Sequence, residues 1–191
     1  MLFRSAIDTE GADKGTRFMQ LCDAFDIPIL SLCDCPGIMV GPESEKTALV
    51  RHAARMFVVG ANIEVPLMTI VTRKGYGLGA QAMAGGSFKA PLFTVTWPTG
   101  EFGGMGLEGA VKLGYRKELQ AIDDASERKD AYEKMVADMY QRGKAVNMAS
   151  HFELDEVIDP AESRRWIAAG LRSVPPAPRR SGKKRPNVDT W

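Results

Sequence analysis

Residues 67–86 read LMTIVTRKGYGLGAQAMAGG, and the reading of this stretch governs the rest of the chain. The run 67–71 does not alternate between apolar and polar, which predicts a strand buried on both faces. Residues 73–79 form a glycine-rich loop, and 80–84 open a short helix made of small residues. Such a passage exposes backbone N–H groups at the positive end of a helix, with little bulk to block an incoming oxygen. Two chemistries use that device: one holds a phosphate, the other stabilises a developing oxyanion.

The flanking sequence repeats the alternation of strand and helix. Residues 15–25 carry Phe18, Met19, Leu21, Cys22 and Phe25 at helical spacing, with Asp13 as cap. PILSL at 28–32 predicts a strand stopped by Cys35-Pro36-Gly37, and Ser44 opens a single helix to Val59. LFTVTW at 92–97 predicts a third strand, followed by a second glycine-rich loop at 100–106 and helices at 107–113 and 117–122. Residues 126–142 are amphipathic, with Tyr132, Met135, Val136, Met139 and Tyr140 facing inward. A short strand at 152–158 precedes Asp159-Pro160, an N-cap and N1 proline for a helix ending at Leu171. Apolar runs separated by helices indicate an α/β fold with a parallel sheet covered on both sides.

Composition narrows the function. Of 191 residues, 45% are hydrophobic, enough for one domain with its own core. The net charge of +1 argues against a dedicated polyanion binder, and no nucleic-acid partner is expected. From Arg172 onward there are six basic residues and one acid, so the last 20 residues carry 6 − 1 = +5 and the preceding 171 carry 1 − 5 = −4. With Pro175, Pro176, Pro178 and Pro186 among them, this segment reads as a solvated or partner-packed extension. Cys22, Cys33 and Cys35 form no CxxC pair, so no zinc site is expected and reduced thiols fit a cytoplasmic location. No apolar run reaches the length of a membrane span, and the first residues of the sequence lack the h-region of a signal peptide. Residues 1–5 lead into what reads as the middle of a domain, which suggests a cut or non-native start.

The phosphate reading makes a checkable demand. Residues 77–82 match GxGxxA and 104–109 match GxGxxG, but a dinucleotide site also needs a carboxylate at the next strand end, about 20 residues on. For the first match that position falls on Trp97-Pro98-Thr99. For the second it falls on Asp123-Asp124, after a helix, and Glu108 would face the pyrophosphate. No GK[ST] follows either loop and no GxSxG occurs. His52 and His151 read as structural or exposed, the ten methionines as core filler, and Asp34 with Glu43 and Glu45 as an unsupported acid–base set. The loop could also be a tight connection without a ligand. Otherwise catalysis falls to backbone dipoles, one oxyanion donor being worth about 3 kcal/mol.

Several motifs occur in an order that resembles a known family: Asp26-Ile27-Pro28-Ile29-Leu30, Cys35-Pro36-Gly37-Ile38-Met39-Val40-Gly41, Arg73-Lys74-Gly75-Tyr76-Gly77, Trp97-Pro98-Thr99-Gly100-Glu101, Met105-Gly106, and Glu156-Val157-Ile158-Asp159-Pro160 with Arg164-Arg165. Together they resemble the C-terminal half of the carboxyltransferase component of biotin-dependent acyl-CoA carboxylases. The resemblance implies a crotonase-like (ClpP/crotonase) spiral of ββα units over residues 1–173, followed by a basic proline-rich tail at 174–191. It implies that the backbone N–H groups of Leu78 and Gly79 form an oxyanion hole for biotin. Tyr76, Gly77, Ala80 and Gln81 would contact substrate, Gln81 at the position that helps choose acyl chain length, with no metal involved. Leu78 departs from the small residue common there.

The implied activity is carboxyl transfer from carboxybiotin on a carrier protein to the α-carbon of an acetyl- or propionyl-CoA class substrate. The implied partners are a biotin carboxyl carrier or biotin carboxylase subunit and an N-terminal carboxyltransferase domain from the same or another subunit, in a homo-oligomer. Three further readings remain beside it. One is a biotin-dependent decarboxylase or other crotonase-like enzyme; another is a non-catalytic assembly module using the helix at 126–142 and the tail; the last is a dehydrogenase.

Overall fold

The computed structural model describes residues 2–3, as backbone, and 6–189; the chain start at Met1, Arg4 and Ser5 and the end at Thr190 and Trp191 lie outside the described residues. Among the described residues six strands form one parallel sheet: β1 (Leu2–Phe3), β2 (Ile29–Cys35), β3 (Leu67–Tyr76), β4 (Phe93–Thr96), β5 (Glu101–Gly103) and β6 (Glu156–Val157). Their order is β1-β2-β3-β4-β6, with β5 beside the far end of β3. Helices α1 (Thr9–Ala24), α3 (Leu49–Gly60) and α4 (Gly77–Met83) share one core with the sheet. Met19, Met56, Ala80 and Met83 meet Ile29, Cys33, Leu67 and Val71 there. The second core is smaller. Met68, Ile70, Phe93 and Val95 lie under α9 (Ser163–Ser173), whose Trp166 ring sits edge-on to Phe93 at 5.5 Å.

Strand β3 runs to ten residues because the supposed loop at 73–79 is mostly strand. Opposite it, β2 advances from Cys33 to Cys35 while β3 advances from Val71 to Gly75, so β3 carries a bulge. Asp34 fills the bulge, accepting from Arg73 Nε (3.2 Å), Arg73 Nη2 (3.1 Å) and the Lys74 N–H (3.2 Å). It is thereby a structural carboxylate. Beyond the bulge, Lys74, Gly75 and Tyr76 pair with Glu101, Phe102 and Gly103, so the second glycine-rich loop also yields a strand.

Other predicted elements shift for local reasons. Helix α1 starts earlier, capped by Asp8, which accepts the Gly11 N–H at 2.7 Å. Asp13 instead lies inside α1 and meets His52 Nδ1 at 2.7 Å, placing that histidine at a helix–helix contact. The single helix predicted from Ser44 is broken into α2 (Pro42–Glu45) and α3, with Ala48 left-handed (φ +56°) between them. Helices α5 (Leu107–Gly114), α6 (Arg116–Gln120), α7 (Ala125–Arg142) and α8 (Ala145–Ser150) follow β5. No side chain of α7 is fully buried; its predicted inward face is half-buried against α5 and α6. Asp159 caps the turn at Pro160–Glu162, its carboxylate accepting the Ala161 N–H at 2.8 Å.

The basic tail folds back on its own domain. Lys184 Nζ lies 2.8 Å from Asp23 Oδ1 and 3.4 Å from Glu64 Oε2, Arg185 Nε lies 2.5 Å from Asp23 Oδ2, and Arg180 pairs with Asp26. Asp23 is 2% exposed and the Lys184 side chain 8%, so this is a buried ionic hub within the domain, where the sequence suggested a solvated or partner-packed extension. Burial alone would raise the Asp23 carboxyl. Hydrogen bonds from Lys184, the Glu64 N–H and Arg185 outweigh it and hold the group below the usual carboxylate value.

Asp23→Asn leaves Lys184 and Arg185 short of a counter-charge and is expected to cost about 3 kcal/mol, read by urea unfolding at pH 7. A depressed folded-state pKa contributes stability above the unfolded carboxyl value of about 3.9, and that stability is lost as pH falls through the folded value. The stability difference between wild type and variant is therefore expected to close as the pH is taken below about 4.

Candidate functional site

The turn after β2 is held from three sides. The Ile7 N–H donates to Gly37 O (2.9 Å), the Met39 N–H donates to Ile7 O (2.9 Å), and Cys35 Sγ donates to Gly37 O (3.4 Å). Burial pushes the Cys35 and Cys33 thiols up, so both stay protonated. Helix α4 begins directly on this turn. A Cβ on residue 79 would stand 2.5 Å from the carbonyl carbon of Gly37, so only glycine permits the approach. Gly77 is left-handed (φ +56°), and a Cβ there would stand 2.7 Å from Gly104 O. The two glycine-rich segments therefore meet at the start of α4.

Between the turn at 36–40, helix α3, the start of α4 and the lip at 104–106 lies a cleft of about 620 Å³, within the usual size of small-ligand sites. Its walls include Met39, Val40, Val50, Phe57, Leu78 and Met105, and Glu45 is the single charged residue lining it. Val40 is 83% exposed and Leu78 61%, unusual for side chains of that kind gathered in one place. Among the described residues, no carbonyl outside α4 accepts the N–H of Leu78 or Gly79. These amides belong to the first helical turn, whose donors have no partner within the helix.

The sequence-derived site residues separate here. Gly77 and Leu78 line the cleft, while Gly79 sits buried on Gly37 with only its backbone on offer. Ala80 faces the core, and Gln81 is half-buried further along α4, outside the cleft lining. Tyr76 is 2% exposed, and its hydroxyl donates to Glu101 Oε2 at 2.9 Å. Burial and that carboxylate push its phenol far up, so its ring offers the cleft neither surface nor a labile proton. The turn at 36–40, the α3 face and the lip were not legible as site walls. The available signal was three apolar residues, Ile38, Met39 and Val40, placed after a Pro-Gly turn where no strand or helix would bury them.

The charge pattern decides between the two chemistries. A phosphate site needs cations or a dense nest of donors, and among the described residues no Lys, Arg or His lines this cleft. Its apolar walls and free amides suit a neutral group bearing a carbonyl-type oxygen. Among the described residues no group of three or more His, Cys, Asp or Glu could hold a metal, and no helix is long and apolar enough to cross a membrane.

Replacing Gly79 with Ala drives a methyl into backbone that cannot yield, and is expected to cost about 1–3 kcal/mol in urea unfolding. Leu78→Ala, at an exposed helical position, is expected to change stability by less than about 0.5 kcal/mol.

Residues 6–188 match the family model described as the carboxyl transferase domain. The carboxyltransferase subunit of propionyl-CoA carboxylase from Haloferax mediterranei is 38% identical over 172 residues, covering 88% of this chain and 32% of that protein. The structure of a single-chain, multi-domain long-chain acyl-CoA carboxylase is 58% identical with a TM-score of 0.77, covering 86% of this chain and 16% of that one. The transcarboxylase 12S structure, described as a hexamer assembly with methylmalonyl-coenzyme A bound, is 31% identical with a TM-score of 0.80, covering 97% and 35%. The chain spans about a third of the length of the curated relatives it matches. The chain thus belongs to the carboxyl transferase domain family, with its crotonase-like fold built on one parallel sheet.

Proposed function

We propose that this chain forms the biotin-side half of a carboxyltransferase site. There a carboxyl group passes from carboxybiotin on a carrier protein to the α-carbon of an acyl-CoA of the acetyl or propionyl class. The observation that carries this reading is the pair of consecutive N–H groups at Leu78 and Gly79, which no carbonyl outside α4 accepts among the described residues, with Leu78 in the lining of an apolar cleft to which those residues bring no cation. A neutral urea ring with one oxygen fits that chemistry, and a phosphate does not. Carboxybiotin supplies the carboxyl group and, once released from it, a basic nitrogen.

The work of this chain is electrostatic. The two amides hold the ureido oxygen and favour the form in which it carries negative charge. Their fixed orientation at a helix start removes the cost of reorganising solvent, and one such donor is worth about 3 kcal/mol. The apolar walls exclude water, which strengthens both contacts. Glu45 near the cleft disfavours polyanions, so the phosphates of the CoA lie outside it, with a partner carboxyltransferase domain supplying the acyl-CoA half. No side chain of the cleft is asked to move a proton.

The test exploits the helix start. Proline is accepted in a first helical turn because its missing N–H has no intrahelical partner there. Leu78→Pro in the complete enzyme therefore deletes one donor with little cost to the helix. It is expected to lower carboxyl transfer from biotinylated carrier to propionyl-CoA by roughly 100-fold, against less than about threefold for Leu78→Ala. Equal rates for the two variants would overturn the assignment. Steady release of carbon dioxide without acyl-CoA product would favour the decarboxylase reading.

A further inference from the structure

The lip at 104–106 is the one wall of the cleft that leads directly into the α5–α7 helices, and its attachment is specific. The lip runs into α5, whose N-cap is Gly106, a residue with no side chain to cap the helix. Glu108 stands in the first turn of α5, and α7 reaches over to hold it. The Tyr140 hydroxyl donates to Glu108 Oε1 at 2.7 Å, and the Tyr132 hydroxyl to Glu108 O at 3.4 Å. Lys112 Nζ lies 5.6 Å from the Tyr132 ring centroid, on the same helix pair. The hydrogen bond from Tyr140 holds Glu108 below the usual carboxylate value, and the reciprocal effect pushes Tyr140 up to about 12. The far end of α7 is tied to β5 by backbone. The Phe102 N–H donates to Gly143 O (2.8 Å), and the Ala145 N–H donates to Gly100 O (3.0 Å). These polar ties add to the half-buried apolar face of α7, none of whose side chains is fully buried.

We propose that Tyr140 is a positioning residue: through Glu108 it holds the 104–106 lip against Gly77 and so sets the width of the cleft above the Leu78 and Gly79 amides. The consequence for turnover rests on the carboxyl-donor reading of the cleft; the consequence for the lip does not. Leu107, 1% exposed, is the competing anchor, and if its burial alone fixes the lip the phenol is dispensable.

Tyr140→Phe removes only the hydroxyl. By hydrogen–deuterium exchange on the 191-residue chain, amides of residues 104–110 are expected to exchange about tenfold faster, with α3 and α4 unchanged, as loss of a hydrogen bond to a charged group allows. Glu108→Gln keeps an acceptor for Tyr140 and is expected to show a smaller increase, since a neutral pair is weaker. In the complete enzyme, Tyr140→Phe is expected to raise KM for the biotinylated carrier several-fold with kcat and the acyl-CoA KM unchanged. Exchange at 104–110 equal to wild type, or a uniform increase over the whole chain, overturns the proposal. A loosened lip with unchanged carrier KM supports the positioning role and removes the carboxyl donor from this cleft.

Discussion

The contact between Gly79 and the carbonyl of Gly37 is the constraint on which the site depends. It requires glycine at 79, a turn at 36–41 held by Ile7, and a helix start pressed flat against that turn. Because backbone meets backbone, neither side can yield, and the amides of Leu78 and Gly79 are fixed without any side chain steering them. Donors built from main chain are insensitive to protonation, which suits the role proposed for them. The need for close approach is met by the small residues of α4, Gly77, Gly79, Ala80 and Ala82.

The bulge in β3 aims the strand at this contact. Four residues of β3 cover the span of two in β2, and Asp34 closes the gap with three hydrogen bonds. Past the bulge the strand leaves β4 behind and pairs with β5, which brings Gly104 beside Gly77. One long strand therefore serves two neighbours in succession, and the cleft opens beyond its end, at Gly77 and Leu78. Positioning residues such as Tyr76 and Asp34 look catalytic in a list of polar side chains, yet each is consumed by structure: Tyr76 by Glu101, Asp34 by Arg73 and Lys74.

Ionic chemistry is kept away from the cleft. The buried hub at Asp23 gathers Lys184, Arg185 and the Glu64 and Val65 amides between α1 and the tail, and does not involve the cleft lining. Isolated from solvent, such a hub is costly to form and costlier to break, because removing one partner strands the others. It stitches the C-terminal segment to an early helix, a long-range closure that no local propensity foretells.

Read alone, the sequence determined the alternation of buried strands and helices, the parallel sheet, and the segment at 77–79 where bare amides appear, because apolar runs, glycine spacing and capping residues act over a few neighbours. Asp159 and Pro160 begin their turn where local rules place them. The tertiary structure decided what those amides face. Residues 73–76 became strand because Glu101, Phe102 and Gly103 came to pair with them, and the helix from Ser44 broke at Ala48 where the cleft wall turns. Met39, Val50 and Met105 are far apart in the chain and carry no periodic signature, so their convergence on one cavity follows only from the packing of three separate connections onto one sheet. Lys184 and Asp23, 161 residues apart, pair for the same reason: partners at that separation are chosen by the fold.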